Sequence, residues 1–258
     1  MPPDQARPWL PAAGLPAEVG GLMSMRRGGV SRAPFDSLNV RPAGLRADVA
    51  DEPAAIHENQ RRFAGWLEGA QPVYLDQVHG RRVVRLTATD LAPNRPFHEA
   101  DASVTTEHGI ACTVLVADCL PVLLAAPEGR AVAAAHAGWR GLAAGVVEAA
   151  LDELCQAAQC APGEVSAWLG ACIGPDAFEV GEDVRQAFGP EGAAAFKPGA
   201  ASGKWWADLP GLAQRRLRQA GVARISGGTW CTFSDPALFF SFRRDRITGR
   251  HAAAIWIR

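Results

Sequence analysis

The chain has 258 residues and a formal net charge of −1, with 48% hydrophobic and 21% charged residues. This length suffices for one globular domain with a sizeable core, and the near-neutral charge argues against general binding to nucleic acid or to an anionic membrane. Six cysteines without a CxxC pair do not make a disulfide scaffold, and no uncharged apolar stretch approaches the roughly 18 residues of a spanning helix.

The first part of the chain predicts an irregular arm or short strand, a loop and a helix. Residues 1–20 are rich in Pro, Gly and Ala and lack the apolar core of a signal peptide, so we expect an irregular arm, or a short strand in its place, on a cytoplasmic protein. Residues 25–40, MRRGGVSRAPFDSLNV, predict a glycine-containing loop whose polar groups make contacts. Residues 51–69 predict a helix with Asp51 as N-cap and Pro53 in the first turn.

The middle of the chain predicts strands. Residues 72–80 and 81–86 are strand-like and are separated by a turn near His79. The continuous apolar run 109–119 is typical of a strand that is covered on both faces. Residues 120–136 predict a strand, a Pro-Glu-Gly turn and a second strand.

The remaining elements mix helices and strands without strict alternation. Residues 142–158 predict an alanine-rich helix, residues 166–175 a strand entering a turn, and HAAAIWIR a final strand. EDVRQAF and DLPGLAQRRLRQAG predict helices, the second of which Gly221 ends. The pattern predicts a single α+β domain over residues 1–258, with mixed sheets.

Three short segments place a histidine, a cysteine and a histidine at predicted strand ends. They are QVHG, ADCLP and AHAGWRG, which contain His79, Cys119 and His136. Imidazole and thiolate suit Zn²⁺, and three protein ligands leave a fourth position open, where zinc can lower the pKa of water. From the residues alone, a buried cysteine and two hydrogen-bonded histidines are the alternative.

The segment GWRGLAAG has features of an anion site. A strand that runs into a helix N-terminus exposes backbone N–H groups, and Arg140 adds a planar donor, so phosphate is the natural candidate. A glycine turn with a surface arginine is the alternative.

Seven segments together point to a known family. They are RRGGVS with DSLNV, QVHG, ADASVTTEHGIACTVLVADCLPVLL, AAAHAGWRGLAAGVVE, CIGPDAFEVGEDV and CTFSDPALFFSFRRDRITGR. Through them the chain resembles, over nearly its whole length, the YfiH family, also catalogued as the DUF152 or polyphenol-oxidase (laccase-domain) family. The resemblance implies an α/β/β/α arrangement with two mixed sheets, and zinc on His79, Cys119 and His136. It also implies phosphorolysis of adenosine, inosine, guanosine and methylthioadenosine, together with deamination of adenosine.

These two reactions require different side chains. Asp118 and Asp101 are the carboxylates closest to the ligand motifs and are the candidate acid/base groups for deamination; a structural hydrogen bond is the alternative for each. Phosphorolysis requires donors that position phosphate and the nucleoside. The candidates for these contacts are Arg26, Asn39, Gln77, Arg140 and Arg243. For each of them a surface role is the alternative.

Other functions stay open at this point. Copper could replace zinc in a polyphenol oxidase, although six histidines are few for several coppers. Cys119 could be the nucleophile of a cysteine hydrolase or amidase, or the chain could be a zinc-stabilised binding module without catalysis. We expect a purine nucleoside and phosphate as small-molecule partners, no nucleic acid or membrane, and a monomer or small homo-oligomer. A cell-wall nucleotide-peptide is the alternative substrate.

Overall fold

Strands outnumber helices in the computed structural model, which describes residues 7–45, 49–93 and 95–258. The strands are β1 (Trp9–Pro11), β2 (Val19–Ser24), β3 (Gln71–Val73), β4 (Leu75–Asp76), β5 (Val83–Arg85), β6 (His98–Glu99), β7 (Ala102–Thr105), β8 (Ile110–Val116), β9 (Leu120–Ala125), β10 (Val132–Ala137), β11 (Ser166–Leu169), β12 (Glu179–Gly181), β13 (Phe196–Pro198), β14 (Lys204–Ala207), β15 (Arg224–Gly227) and β16 (His251–Ile257). The α-helices are α1 (Pro53–Ala64), α2 (Trp139–Ala144), α3 (Val146–Ala158), α4 (Glu182–Ala187), α5 (Gly189–Gly192), α6 (Leu209–Gln219) and α7 (Phe242–Asp245).

Two large mixed sheets organise this part of the chain. The five-stranded sheet has the order β1-β2-β16-β8-β3, in which only the β3–β8 pair is parallel. The six-stranded sheet has the order β15-β11-β9-β10-β7-β5 and is parallel at both edges. The small ladders β4–β6 and β12–β14–β13 lie beside them. The prediction of an α+β chain with two mixed sheets is confirmed.

Alternating side chains stack the sheets and helices in the order α/β/β/α. In β8, Val114 belongs to the core between the two sheets, whereas Leu115 belongs to a core with Phe63 at the end of α1. On the opposite side, Leu124 of β9 shares a core with Leu151 of α3. Because both faces of each large sheet are covered, their central strands are apolar without alternation in sequence.

The predicted N-terminal arm contains regular structure. Trp9–Pro11 forms β1 and pairs with β2, which begins at Val19, so this segment is the short strand that stood as the alternative to an irregular arm. A three-residue strand has too little alternation for the sequence to decide between the two. Residues 1–6, which also fall in the predicted arm, lie outside the described residues.

Two predicted helices have different boundaries. The helix predicted over residues 51–69 spans Pro53–Ala64, and its N-cap is Glu52, while the Asp51 carboxylate accepts hydrogen bonds from other side chains. The helix predicted over residues 142–158 begins earlier and is broken at Gly145, whose φ is 93°. A left-handed residue cannot continue an α-helix, so α2 ends there and α3 starts. Among the described residues, no helix has both the length and the apolar character needed to cross a bilayer.

Candidate metal centre

The three predicted ligands come from three chain segments that meet beside the β9–β10 hairpin. The antiparallel register pairs His136 with Pro121, so Cys119, two residues before Pro121, lies next to His136. His79 lies in the loop after β4 and has a φ of 62°. Its Nε2 is 3.6 Å from Cys119 Sγ, and the ligand atoms of all three residues lie within 4.8 Å of one another.

This donor set fits a tetrahedral zinc ion. Zinc–nitrogen and zinc–sulfur bonds of about 2.0 and 2.3 Å, at tetrahedral angles, separate the two donor atoms by about 3.5 Å. The separation of 3.6 Å between His79 Nε2 and Cys119 Sγ is close to that value, and the three ligand atoms, which lie within 4.8 Å of one another, need a small contraction to reach it throughout. Two imidazoles and one thiolate also match the ligand chemistry of zinc, and a fourth position stays open.

Asp101 contacts two of the three candidate ligand residues, His79 and His136. One carboxylate oxygen contacts His136 Nδ1 at 2.8 Å and accepts a hydrogen bond from the backbone N–H of His79 at 2.9 Å. The other oxygen accepts from the N–H groups of Gly80 and Val78, at 2.7 and 3.2 Å. Because the carboxylate engages Nδ1 of His136, the Nε2 atom is left for a metal.

The charges in this cluster favour a thiolate on Cys119 and a protonated ring on His136. Burial raises the pKa of Asp101, but His136 and the backbone N–H groups of the 79–80 loop outweigh it, so the pKa lies below its ordinary value. Burial also raises the pKa of Cys119, and His136 and His79 outweigh it and lower the pKa to about 6. For His136, burial lowers the pKa, while Cys119 and Asp101 raise it to about 9. The metal-free pair is therefore a thiolate beside an imidazolium, whose proton a metal ion would displace.

Two glycines of the AHAGWRG segment allow the close packing of the ligands. A Cβ at Gly138 would lie 2.7 Å from His79 Cδ2 and 2.9 Å from Cys119 Sγ. A Cβ at Gly141 would lie 2.8 Å from the carbonyl oxygen of Gly80. These positions require glycine because a side chain would push the ligand loops apart.

Asp118 joins the loop before Cys119 to the C-terminal segment. Its φ is 99°, and one carboxylate oxygen accepts a hydrogen bond from the Thr232 hydroxyl at 2.6 Å. The other oxygen accepts from the backbone N–H of Arg243 at 2.7 Å. Both oxygens thus already serve in holding two loops together beside the cluster.

The cluster opens into a cavity of about 550 Å³, which Gln77 also lines. The Gln77 amide donates to the carbonyl of Leu115 at 2.8 Å and accepts from its N–H at 2.7 Å. Of the predicted contact residues, those outside the cavity lining are Arg26, Asn39, Arg140 and Arg243. Arg26 pairs with Asp36, and exposed Arg140 stacks over the ring of Trp139 at 4.3 Å.

Sequence reasoning missed the charged side chains of this cavity. Arg41 and Arg250 line it, as do Asp76 and Glu99, which are paired neighbours on β4 and β6. Two weak signals were available: Asp76 directly precedes QVHG, and Arg250 directly precedes the last apolar strand. Neither signal identifies a cavity, because Arg41 and Arg250 are brought together only by the fold.

A layered α/β/β/α fold with a His-Cys-His centre at a strand end defines the class of protein. Residues 21–258 match the model of a family described as multi-copper polyphenol oxidoreductase laccase. A solved DUF152 protein from Neisseria meningitidis superimposes with a TM-score of 0.88 at 43% identity, covering 97% of this chain and 99% of that one. YlmD from Geobacillus stearothermophilus has a TM-score of 0.88 at 31% identity, with coverages of 98% and 97%.

Curated relatives extend the comparison to named enzymes. A purine nucleoside phosphorylase from Pseudomonas aeruginosa is 48% identical over 255 residues, covering 97% of this chain and 98% of the relative. The purine nucleoside phosphorylase YfiH from Escherichia coli is 46% identical, with coverages of 94% and 95%. The chain belongs to the YfiH (DUF152) family, and these relatives support an enzyme of the purine nucleoside phosphorylase kind.

Proposed function

We propose that the protein is a zinc-dependent purine nucleoside phosphorylase that acts on adenosine, inosine, guanosine and methylthioadenosine and also deaminates adenosine. The observation that carries the proposal is the identity of 48% and 46%, over nearly the whole chain, to relatives named purine nucleoside phosphorylases. The cavity beside the cluster supports it, because about 550 Å³ lies within the usual range for small-molecule sites.

His79, Cys119 and His136 would hold the zinc ion, which when bound supplies a Lewis acid and lowers the pKa of water. Asp101 has a positioning role: it keeps the His136 ring oriented and holds the 78–80 loop. Asp118 positions the loop that carries Cys119.

The rest of the cavity suits a nucleoside. Val78 and Leu115 offer apolar surface to a purine, and the carboxylates of Asp76 and Glu99 can accept hydrogen bonds from ribose hydroxyls. Binding the nucleoside and phosphate in one cavity makes attack on C1′ effectively unimolecular.

The decisive test is turnover of inosine by zinc-loaded protein, with and without phosphate. We expect phosphate-dependent release of hypoxanthine and ribose 1-phosphate, and at least a hundredfold loss in Cys119→Ala together with loss of bound zinc, on the order seen when metal sites lose a ligand. Cys160 is a half-buried cysteine outside the cluster, so Cys160→Ala should retain both the activity and the bound zinc. No phosphorolysis of any of the four nucleosides by folded, zinc-loaded protein would overturn the proposal.

The low pKa of Cys119 supports a second candidate, a cysteine hydrolase or amidase. A thiolate beside His136 has the form of an activated nucleophile. A metal-bound thiolate is not free to attack, so alkylation by iodoacetamide separates the candidates. Protection by stoichiometric zinc in the active enzyme favours the phosphorylase, whereas activity that survives zinc removal and disappears on alkylation favours the hydrolase.

The family description supports a third candidate, a copper polyphenol oxidase. Copper binds the same donors. In the described part of the chain, however, His79, Cys119 and His136 are the only group that meets the geometry of a metal site. Oxidation of a catechol by copper-loaded but not zinc-loaded protein, without nucleoside turnover, would favour this candidate.

A further inference from the structure

Two arginines are fixed side by side in the lining of the cavity. Arg250 directly precedes β16, and Arg41 follows the DSLNV segment, yet both line the cavity that contains the three metal-ligand candidates. The side-chain oxygen of Asn39 accepts hydrogen bonds from the backbone N–H of Arg41 at 3.3 Å and of Arg250 at 2.9 Å. The Asn39 amide in turn donates to Asp51 at 3.0 Å, and Asn39 is buried. The placement of this pair is therefore built into the fold.

Only one of the three nitrogen atoms of the Arg250 guanidinium group donates to an acceptor in the described residues. Its Nη1 donates to the carbonyl oxygens of Thr248 and Gly249, both at 3.1 Å. Residues 7–45, 49–93 and 95–258 provide no hydrogen-bond acceptor for its Nε or Nη2 and no carboxylate within ion-pair distance. A half-buried guanidinium group with open donors favours an anion in the adjoining space.

Other arginines of the molecule show how this one differs. Arg26 pairs with Asp36, Arg216 with Glu148 and Arg258 with Glu68. Those pairs neutralise charge within the protein. Arg250 instead directs its charge into a cavity that reaches the candidate metal centre.

We propose that Arg250, supported by Arg41, binds the phosphate that attacks the nucleoside. The unpaired Nε and Nη2 donors lie on one edge of a planar group, which matches two oxygens of a phosphate. Asp76 and Glu99, which line the same cavity on β4 and β6, repel an anion and leave the arginine pair as its binding place. The inference rests on the proposed phosphorylase function and names the anion site of that reaction.

The reaction balances with this assignment. A phosphate oxygen forms a bond to C1′ of the ribose while the bond from C1′ to the purine nitrogen breaks. The purine leaves with the bonding electron pair and takes the proton of hydrogen phosphate, so the products are ribose 1-phosphate and the free base. Arg250 does not exchange a proton, because guanidinium stays charged; it holds phosphate and stabilises its negative charge.

The test compares Arg250→Gln and Arg41→Gln with Arg246→Gln in zinc-loaded enzyme. Arg246 is exposed and lies at the same ring as Arg250, with both guanidinium carbons 5.9 Å from the Phe242 centroid, but it does not line the cavity. We expect the KM for phosphate to rise about tenfold or more in Arg250→Gln, as for loss of a charge-assisted hydrogen bond, and less in Arg41→Gln. The KM for inosine should change less than twofold, and Arg246→Gln should match the parent enzyme.

Calorimetry with inorganic phosphate alone separates failure of this inference from failure of the proposed function. If the parent enzyme phosphorolyses inosine but its phosphate KM is unchanged in folded Arg250→Gln, the inference is wrong while the function stands. If the parent enzyme does not phosphorolyse any nucleoside, phosphate binding that Arg250→Gln abolishes still supports the anion site, and absence of binding overturns it. Should Arg250→Gln not fold, an unchanged phosphate KM in Arg41→Gln overturns the inference.

Discussion

Two buried histidines at strand ends show how partners, more than burial, determine what an imidazole can do. His136, near the end of β10, is 3% exposed, and His251, at the start of β16, is fully buried. Asp101 and Cys119 surround the first and raise its pKa to about 9 despite the opposing effect of burial. Burial dominates at the second and lowers its pKa to about 3.

The two histidines also differ in their hydrogen-bond partners. His136 Nδ1 contacts a carboxylate, whereas His251 Nε2 accepts a hydrogen bond from the backbone N–H of Phe240 at 2.8 Å. The first histidine can therefore present its other nitrogen to a metal, with a carboxylate that increases its basicity. The second is a neutral core side chain that packs against aromatic rings. Three substitutions test this comparison. They remove the carboxylate of Asp101, the space beside Gly138 and the neutral imidazole of His251.

Asp101→Asn should have the largest effect on zinc affinity, because it removes the carboxylate that orients the His136 ring. An amide presents only one oxygen, so its NH₂ group faces N–H donors of the 78–80 loop or the His136 ring. We expect zinc affinity to fall by about 10- to 100-fold, measured by competition with a chelator at neutral pH. Unchanged affinity would show that Asp101 does not hold the ligands.

Asp90→Asn is the matched control for that variant. Asp90 also contacts a histidine, His98 Nε2 at 2.7 Å, but neither residue belongs to the metal-ligand cluster. Its zinc affinity should equal that of the parent protein.

Gly138→Ala should have an intermediate effect on zinc affinity. It keeps all three ligand residues but fills the space next to His79 and Cys119. The added Cβ would lie within 3 Å of His79 and Cys119 atoms, so the ligand atoms must separate. We expect roughly a tenfold loss of zinc affinity, of the size caused by changes around metal ligands. In Gly163→Ala, where the added Cβ meets only an ordinary contact at 3.7 Å, affinity should not change. Equal affinities in the two variants would exclude a packing role for Gly138.

Some of this comparison could be predicted from the sequence. The continuous apolar runs predict strands covered on both faces, and the motifs QVHG, ADCLP and AHAGWRG carry the family resemblance that implies the ligand cluster and the two mixed sheets. The break at Gly145 was not, because glycine in a helical pattern does not reveal its φ. Nor was the Arg41–Arg250 pair, which depends on an Asn39 contact spanning 211 residues. Such long-range hydrogen bonds leave no periodic signal.

His251→Gln should have the smallest effect at neutral pH and a growing one in acid. The folded state keeps His251 neutral because its pKa is lowered from 6.5 to about 3, whereas the unfolded chain binds a proton below about pH 6.5. Stability from this residue is therefore present above pH 6.5 and is lost as the pH falls towards 3. Between pH 6.5 and 4.5 the parent protein should lose about 2 kcal/mol more unfolding free energy than the variant.

Urea unfolding of the two metal-free proteins at a series of pH values measures that difference directly. Glutamine can still accept the hydrogen bond from Phe240 N–H through its side-chain oxygen but does not titrate. Contributions from the other histidines and carboxylates are common to both proteins and cancel in the difference. A difference that stays constant from pH 6.5 to 4.5 would mean that His251 accepts a proton in the folded state, and the contrast with His136 would then lie in their metal-binding geometry and not in their charge.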